Sequence, residues 1–283
     1  LFSQVQSYLA AKLPLPIDSV HWDWRIVGEQ TSRVFVYICA IPREVVEGYR
    51  KPLKSLGMVV SAVEPQVLSV MRLFWPKMSL PEPVLMIDIG SQETAVATFD
   101  DVGIHQSSVV LSGASKSSEQ LARALKAELA TAEQVIRSIG LRNVKHPKTP
   151  LIHQAIKEQL IPILTEAQQH VVYYNVQPHL EPALIKQVLL LGGGSLVPGV
   201  AETLAHELKL TVMPPTMRLT IKPTLSPQDL SLLACALGAA VRGTMAQQAR
   251  EEEINVLATH RSFRQPKHSW IDKLKKKFSK AKL

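Results

Sequence analysis

Two apolar segments, each running directly into a glycine turn, constrain the fold of this chain more than any other feature. Residues 84–90 read Val-Leu-Met-Ile-Asp-Ile-Gly, and residues 188–194 read Val-Leu-Leu-Leu-Gly-Gly-Gly. Short apolar runs bounded by turn residues are typical of buried strands. Helical periodicity surrounds both runs, and such alternation of strands with helices predicts an α/β fold.

The rest of the secondary structure follows from periodicity and from proline and glycine positions. Before residue 75 we predict a helix over 1–13, a strand over 34–40, a helix from Pro42 toward Gly57, a strand over 58–63 and a helix from Pro65 to Phe74. After it we predict a three-strand meander over 84–111, helices over 117–129, 131–139 and 151–176, a strand over 188–191, and helices over 200–208 and 230–245.

A proline-rich segment predicts the main boundary in the chain. Three prolines lie between Trp75 and Pro83, a stretch without periodicity. We therefore predict three regions: 1–76, 84–246 and 247–283.

The basic charge of the chain lies in its last 24 residues. The chain carries 32 Lys/Arg and 24 Asp/Glu, and residues 260–283 hold nine of the former and one of the latter. The remaining 23 of each sign balance, which disfavours nucleic acid as a partner of the folded body. The two cysteines, Cys39 and Cys235, lie in apolar runs and read as core residues of a protein in a reducing compartment. The sequence has no apolar run long enough to predict a membrane span.

The two glycine turns carry the residues best suited to chemistry. Asp88 ends a buried strand beside Gly90, where free amides can face a phosphate and a carboxylate can hold the water shell of a metal ion. The glycines at 192–194 let the backbone approach a flat ligand closely. The alternatives are that Asp88 only forms a turn and that the triple glycine is only a tight connection. The order and separation of the two turns favour a ligand site.

This layout resembles the second half of an actin-like ATPase domain. Three further passages resemble the PilM and FtsA branch, and PilM in particular: Ala40–Val46 with Val63-Glu64-Pro65, Thr131-Ala132-Glu133, and residues 166–175. The resemblance covers roughly residues 1–257. It implies an actin-like (ribonuclease H-like) two-lobed fold, in which residues 1–76 hold a small inserted subdomain and the return to the first lobe, and residues 84–246 form the second lobe with a closing helix.

The resemblance also implies a site for ATP and Mg²⁺. The nucleotide-binding residues it implies are Asp88, Gly90, Ser91, Gln92, Glu133, Gly192, Gly193 and Gly194, with Asp88 holding Mg²⁺ through water.

Two kinds of departure weaken the expected activity. The family's first phosphate loop would lie upstream of Leu1, which we interpret as a truncated start. Ala114 stands where the family has a second glycine, and Ile136 stands where a lysine would approach the nucleotide. We therefore expect at most a weak ATPase.

The resemblance implies a cytoplasmic scaffold of type IV pilus assembly, peripheral at the inner membrane. Two alternatives stay open: a polymer-forming cell-division protein of the FtsA kind, and a degenerate actin-like adaptor that binds no nucleotide. Nucleotide-dependent filaments would indicate the first.

The region 247–283 suggests two contacts. Ile254, Asn255 and Leu257 resemble the Ile-Asn-Leu-Leu segment by which PilN docks onto PilM, and imply a PilN-like inner-membrane partner. Trp270, Leu274 and Phe278 fall on one face of a lysine-rich helix, which suits an anionic membrane surface. The alternatives are an ordinary linker and a disordered tail.

Overall fold

The structure, a computed structural model, describes residues 1–30, 33–75, 82–100, 103–176, 184–213, 215, 225–245 and 254–257, with backbone alone at 28–30 and 33. The chain divides into two compact units. The smaller comprises residues 1–25, 38–64 and 245–283, and the larger comprises residues 26–37 and 65–244. Within the described part of the chain, no helix has the length and apolar character needed to cross a membrane.

The smaller unit is built on a helix and a pair of strands. Helix α1 (Phe2–Lys12) buries Val5 and Leu9, which lie four residues apart and therefore on one face. Strands β1 (Val20–Gln30) and β2 (Arg33–Pro42) form a two-stranded sheet whose far ends belong to the larger unit. The Phe2 ring stacks on Trp22, with centroids 5.4 Å apart. Helix α2 (Arg43–Ser55) begins after Pro42, as predicted.

Two predictions for this unit need correction. Residues 58–63, predicted as a strand, are not a strand in the structure. Strand β1 was not predicted, although Val20, Trp22 and Trp24 alternate with polar residues along it. That alternation is the ordinary signal of a half-buried strand, and Val20 and Trp22 are buried.

The larger unit contains a five-stranded sheet. After helix α3 (Gln66–Phe74), strands β3 (Val84–Ile89), β4 (Thr94–Phe99) and β5 (Ile104–Val110) form the predicted antiparallel meander. Helices α4 (Ala114–Leu125), α5 (Leu129–Ile139) and α6 (Thr149–Val176) follow. Strand β6 (Gln187–Leu191), helix α7 (Val200–Leu208), strand β7 (Thr211–Met213) and helix α8 (Pro227–Thr244) complete the unit.

Strand β3 is the centre of this sheet. The strand order is β5-β4-β3-β6-β7, and β3 pairs in parallel with β6 although about 100 residues separate them. All six residues of β3 are buried. The core around it includes Leu85, Ile87 and Ile89 with Ile156 of α6. A strand that is covered on both faces and paired on both edges gives the segment that follows it a fixed position.

Helices α3 and α8 are joined by a close backbone contact. A Cβ added at Gly238 would overlap the main chain of Ser69, so only glycine fits at this crossing. The buried Arg72 donates a hydrogen bond from Nη1 to the Gly238 carbonyl at 2.9 Å. This bond helps to satisfy a buried cation and holds the two helices together.

Candidate functional site

The two glycine turns lie side by side because their strands are parallel neighbours. Asp88 of β3 is paired with Leu191 of β6, so both strands end at the same edge of the sheet. The turn after β3 closes with a hydrogen bond from the Gly90 amide to the Glu93 carbonyl at 2.9 Å. The turn after β6 is held to α8 by the Gly192 amide, which donates to the Ser231 carbonyl at 3.0 Å. The structure therefore brings together two motifs that are distant in sequence.

A cavity of about 430 Å³ opens beside the two turns. Its volume falls within the range of small-molecule sites, about 300–1,000 Å³. Both turns and two helices line it: Gly90, Ser91 and Gln92; Ala114, Ser115, Ser118 and Glu119 of α4; Leu129, Glu133, Ile136 and Arg137 of α5; and Gly193, Gly194 and Val197. Six of the eight predicted binding residues thus line one cavity; Asp88 and Gly192 do not.

Asp88 does not line this cavity, and its Oδ1 lies next to Gly192 of the second turn. Its carboxyl is largely buried, and Oδ2 accepts a hydrogen bond from Nε2 of Gln66 at 2.6 Å. Burial raises the pKa of Asp88 above its ordinary value, and the Gln66 hydrogen bond partly opposes this by favouring the ionised form. Gln66, the first residue of α3, was not singled out from the sequence. It is the residue that orients the Asp88 carboxyl.

The three glycines of the second turn have different surroundings. Gly192 has a φ of +79°, and a Cβ there would lie 2.5 Å from Oδ1 of Asp88. A Cβ at Gly194 would overlap the Ile89 side chain. At Gly193, by contrast, the nearest atom would be Cδ2 of Leu232 at an ordinary 3.5 Å. Gly192 and Gly194 are therefore required by packing, whereas packing leaves room for a side chain at Gly193 on the cavity wall.

The first turn is fastened to the start of α4. The Ser115 amide and hydroxyl both donate to the Ser91 carbonyl, at 2.9 and 2.7 Å. A Cβ at Gly113 would overlap the Ser91 main chain, so the single glycine that this segment keeps is needed for the contact. Within the described residues, the amides of Ser91 and Gln92 donate no hydrogen bond. Successive unpaired amides in a turn suit an anion.

Helix α5 presents charge to the cavity at positions four residues apart. Glu133 and Arg137 line the wall, and Arg137 donates to Oε1 of Glu133 from Nη2 at 2.6 Å and from Nε at 3.1 Å. Ile136 belongs to the hydrophobic core of the unit as well as to the cavity wall. Ile136 stands where the family has a lysine, which suggested that the site has no cation. Arg137, one position further along α5, does line the cavity. The sequence analysis missed Arg137 because of this one-residue offset.

The residues present fit a nucleoside phosphate. The first turn offers unpaired amides, Ser118 offers a hydroxyl, and the Arg137 guanidinium offers charged N–H donors to phosphate or ribose oxygens. Gly193 leaves its part of the wall without a side chain, which suits the face of a flat base.

The predicted partner residues fall in two groups. Ile254, Asn255 and Leu257 belong to the smaller unit, where Ile254 is buried. Trp270, Leu274 and Phe278 lie outside the described residues, as does most of the tail.

Comparisons with known proteins identify the fold. No family model matches the sequence, and no curated protein matches it. Among solved structures, a PilM-PilN type IV pilus biogenesis complex matches with a TM-score of 0.67 and 22% identity, over 87% of this chain and 72% of the other. MreB5 of Spiroplasma citri bound to AMPPNP matches with a TM-score of 0.56 and 15% identity, over 75% of this chain and 67% of that one. The same protein bound to ADP matches with a TM-score of 0.56 and 16% identity, over 75% and 69%. The predicted fold class is confirmed: this chain is a mixed α/β protein with the actin-like fold.

Proposed function

We propose that this protein is an actin-like nucleotide-binding scaffold of type IV pilus assembly. The observation that carries the nucleotide part is the cavity between the two glycine turns, at the paired ends of β3 and β6. The pilus part is supported by similarity to the PilM-PilN complex. We expect at most weak hydrolysis, so the bound state rather than turnover is the signal passed to partners.

Each wall of the cavity is assigned a part of the ligand. The amides of Ser91 and Gln92 are assigned to phosphate oxygens. Glu133, which lines the cavity, is assigned to accept hydrogen bonds from ribose hydroxyls, and Arg137 to donate to ribose or phosphate oxygens. Gly193 gives the base close access to the main chain. The MreB5 structures with AMPPNP and ADP support an adenine nucleotide as the probe.

Asp88 is assigned to Mg²⁺ through water. Bound Mg²⁺ would neutralise phosphate charge. Asp88 must be ionised for this role, and burial opposes ionisation. The Gln66 hydrogen bond supplies part of the compensation. We therefore expect Gln66→Ala to weaken Mg²⁺-dependent binding although Gln66 does not line the cavity.

Calorimetry with ATP and Mg²⁺ tests the nucleotide assignment. Asp88→Ala should remove binding, whereas Asp18→Ala, an exposed carboxylate in the smaller unit, should leave it unchanged. Absence of ATP binding by the full-length protein, or unchanged binding in Asp88→Ala, would refute the assignment.

A matched arginine pair tests the cation. Arg137→Ala should weaken ATP binding roughly 10-fold or more, because hydrogen bonds to charged groups contribute about 1.5 to 3 kcal/mol. Arg123→Ala, an exposed arginine on α4 that does not line the cavity, is the control. Equal effects of the two changes would show that only general surface charge matters.

The scaffold role predicts a PilN-like inner-membrane partner, as the PilM-PilN similarity suggests. Co-purification of this protein with the PilN-like protein of the same cell is the direct test. A second test uses the cell: deletion should abolish surface pili and leave cell division intact. Filamentous, undivided cells with normal pili would instead favour the FtsA-like alternative.

The basic tail is assigned to the cytoplasmic face of the inner membrane. Trp270, Leu274 and Phe278 would enter the headgroup region while the surrounding lysines contact anionic lipid, each contributing about 1 kcal/mol. Binding to anionic vesicles should disappear on deletion of residues 268–283 and weaken with salt. Equal sedimentation of the deletion variant with the vesicles would contradict the membrane contact.

A nucleotide-free adaptor is the alternative that two cavity residues favour. Ala114 and Ile136 both line the cavity, where the family pattern has a glycine and a lysine. If calorimetry detects no nucleotide while the PilN-like partner still co-purifies, the adaptor is the correct reading. Nucleotide-dependent sedimentation of filaments would instead indicate a polymer-forming protein.

A further inference from the structure

A short segment near the end of the described chain is held firmly within the smaller unit. Residues 254–257 read Ile-Asn-Val-Leu. Ile254 is 2% exposed and Val256 is 1% exposed, values typical of a core. Hydrogen bonds of Asn255, between these two residues, join the segment to residues about 190 to 230 positions earlier.

Main-chain hydrogen bonds fix the position of this segment. The Val256 amide donates to the Val63 carbonyl at 3.1 Å. The Asn255 amide donates to Oδ2 of Asp23 at 2.7 Å, while Oδ1 of Asp23 accepts from the Trp24 amide at 2.9 Å. The Asp23 carboxylate therefore joins β1 to the segment. Both of these main-chain amides of the segment are therefore satisfied by residues of the smaller unit.

The Asn255 side chain adds recognition of sequence. Its Oδ1 accepts from the Val63 amide and from the Leu257 amide, both at 3.1 Å. Its Nδ2 donates to the Ser61 carbonyl at 3.2 Å. The Val63 amide thus serves as donor to the side-chain oxygen of Asn255, and the Ser61 carbonyl serves as acceptor for its side-chain nitrogen. An aspartate would place a carboxylate oxygen against the Ser61 carbonyl, and an alanine would leave the Val63 amide without its acceptor.

We propose that Asp23 and residues 61–63 form a peptide-recognition groove, whose resident ligand is this chain's own segment 254–257. A partner that carries the same chemistry, an asparagine between two buried apolar residues, binds here only by displacing that segment. The chain is therefore self-occupied, and release of residues 254–257 is the step that exposes the groove. This inference uses the smaller unit alone and does not depend on nucleotide binding or on the pilus role.

A competition assay tests the proposal on the full chain. The probe is a fluorescein-labelled peptide of residues 251–260, followed by fluorescence anisotropy. The Ile254→Ser, Asn255→Ala double variant, whose segment can no longer hold the groove, should bind the probe. The unmodified chain should bind the probe at least about tenfold more weakly. Its own tethered segment 254–257 competes with the probe at an effective concentration of about millimolar. Equal binding by both chains, or no binding by the folded variant, would overturn the proposal.

Matched changes test the recognition of asparagine. A probe with aspartate in place of its asparagine should bind the double variant at least about tenfold more weakly. Adding Asp23→Ala to the double variant should have a similar effect, and adding Asp18→Ala, an exposed change in the same unit, should have none. Unchanged binding of the aspartate probe would show that the groove does not recognise asparagine, and unchanged binding after Asp23→Ala would show that Asp23 does not hold the peptide main chain.

Two measurements on single chains complete the test without relying on the double variant. In Asn255→Asp, hydrogen exchange should accelerate at the Val63 and Val256 amides and stay slow in β3. Unchanged protection at Val63 would refute the contact. The unmodified chain should be monomeric by light scattering; a dimer that dissociates on mutation of Asn255 would assign the segment to a second copy and overturn the self-occupied state.

Discussion

Replacing Gly193 or Gly194, two adjacent glycines of the second turn, by alanine should have opposite effects on the stability of the fold. In Gly194→Ala the new Cβ would overlap Cγ2 of Ile89 and lie 2.9 Å from its Cβ. In Gly193→Ala the nearest atom is Cδ2 of Leu232 at 3.5 Å, the end of a flexible side chain. Neither glycine has a positive φ. The two variants therefore differ in packing alone.

The expected magnitudes follow from two opposing terms. Replacing glycine by alanine stabilises a protein by about 0.4 to 1 kcal/mol through the unfolded chain, where the backbone geometry allows it. Overpacking a rigid core costs about 1 to 3 kcal/mol. Gly194→Ala should thus lose up to about 2.6 kcal/mol, whereas Gly193→Ala should be as stable as the parent or slightly more stable. For a unit of this size the difference corresponds to a Tm separation of about 2 to 12 °C.

Thermal unfolding followed by circular dichroism measures this difference, and calorimetry with ATP extends it to function. Gly193→Ala keeps the fold but places a methyl group on the cavity wall, so it should weaken nucleotide binding. Gly243→Ala in α8, where a Cβ would meet nothing within 4 Å, should weaken neither the fold nor binding.

Two outcomes would refute this reasoning. One is a Gly194→Ala protein as stable as Gly193→Ala, since the Ile89 overlap would then cost nothing. The other is an undiminished penalty for Gly194→Ala in an Ile89→Ala background. That background lacks Cγ2, the atom that the new methyl group overlaps.

Two further predictions concern polar groups of α6. Tyr174→Phe removes the 2.8 Å hydrogen bond to Oδ2 of Asp100 and should lower the free energy of unfolding in urea by about 1 to 3 kcal/mol. Tyr173→Phe, at a more exposed position, should change it by no more than about 0.5 kcal/mol. Similar losses in the two variants would show that the Tyr174 hydrogen bond does not stabilise the fold. Burial lowers the pKa of His170 below its ordinary 6.5. Below about pH 6.5 the unfolded chain therefore binds a proton at this histidine more readily than the folded chain does. The free energy of unfolding should fall as the pH drops below about 6.5. Unfolding at pH 7.5 and 5.5 should show a smaller fall in His170→Gln than in His146→Gln, an exposed control, and equal falls would exclude His170 as the cause.

Four of the five strands in the sheet of the larger unit were predicted because they are short and bounded by turn residues, whereas β7 (Thr211–Met213) was not predicted. Strands β3 and β6 follow this pattern, and the turns after them locate the site edge. The segment 58–63 shows the limit of such reasoning. Val63 does form hydrogen bonds through its main chain, but its partners are the Asn255 side chain and the Val256 amide and not a neighbouring strand. A local window contains no information on a partner about 190 residues away.

The candidate site was predictable in composition but not in arrangement. The glycine turns and the family resemblance together selected six residues that line the cavity, but they could not show that Asp88 and Gly192 do not line it. That distinction depends on which face of each strand end meets α3 and α8. Gln66 and Arg137 were not predicted as site residues. The contact of Gln66 with Asp88 is tertiary, and Arg137 lies one position from the expected lysine.

The parallel pairing of β3 with β6 has a consequence for synthesis of the chain. Translation produces β3 about 100 residues before β6, and every residue of β3 is buried in the final sheet. Its meander partner β4 follows immediately and covers one edge. The other edge stays open while α4, α5 and α6 are being made, and an open apolar edge promotes association with other chains. The nascent protein is therefore most prone to aggregate after β3 has left the ribosome and before residues 187–191 have followed it.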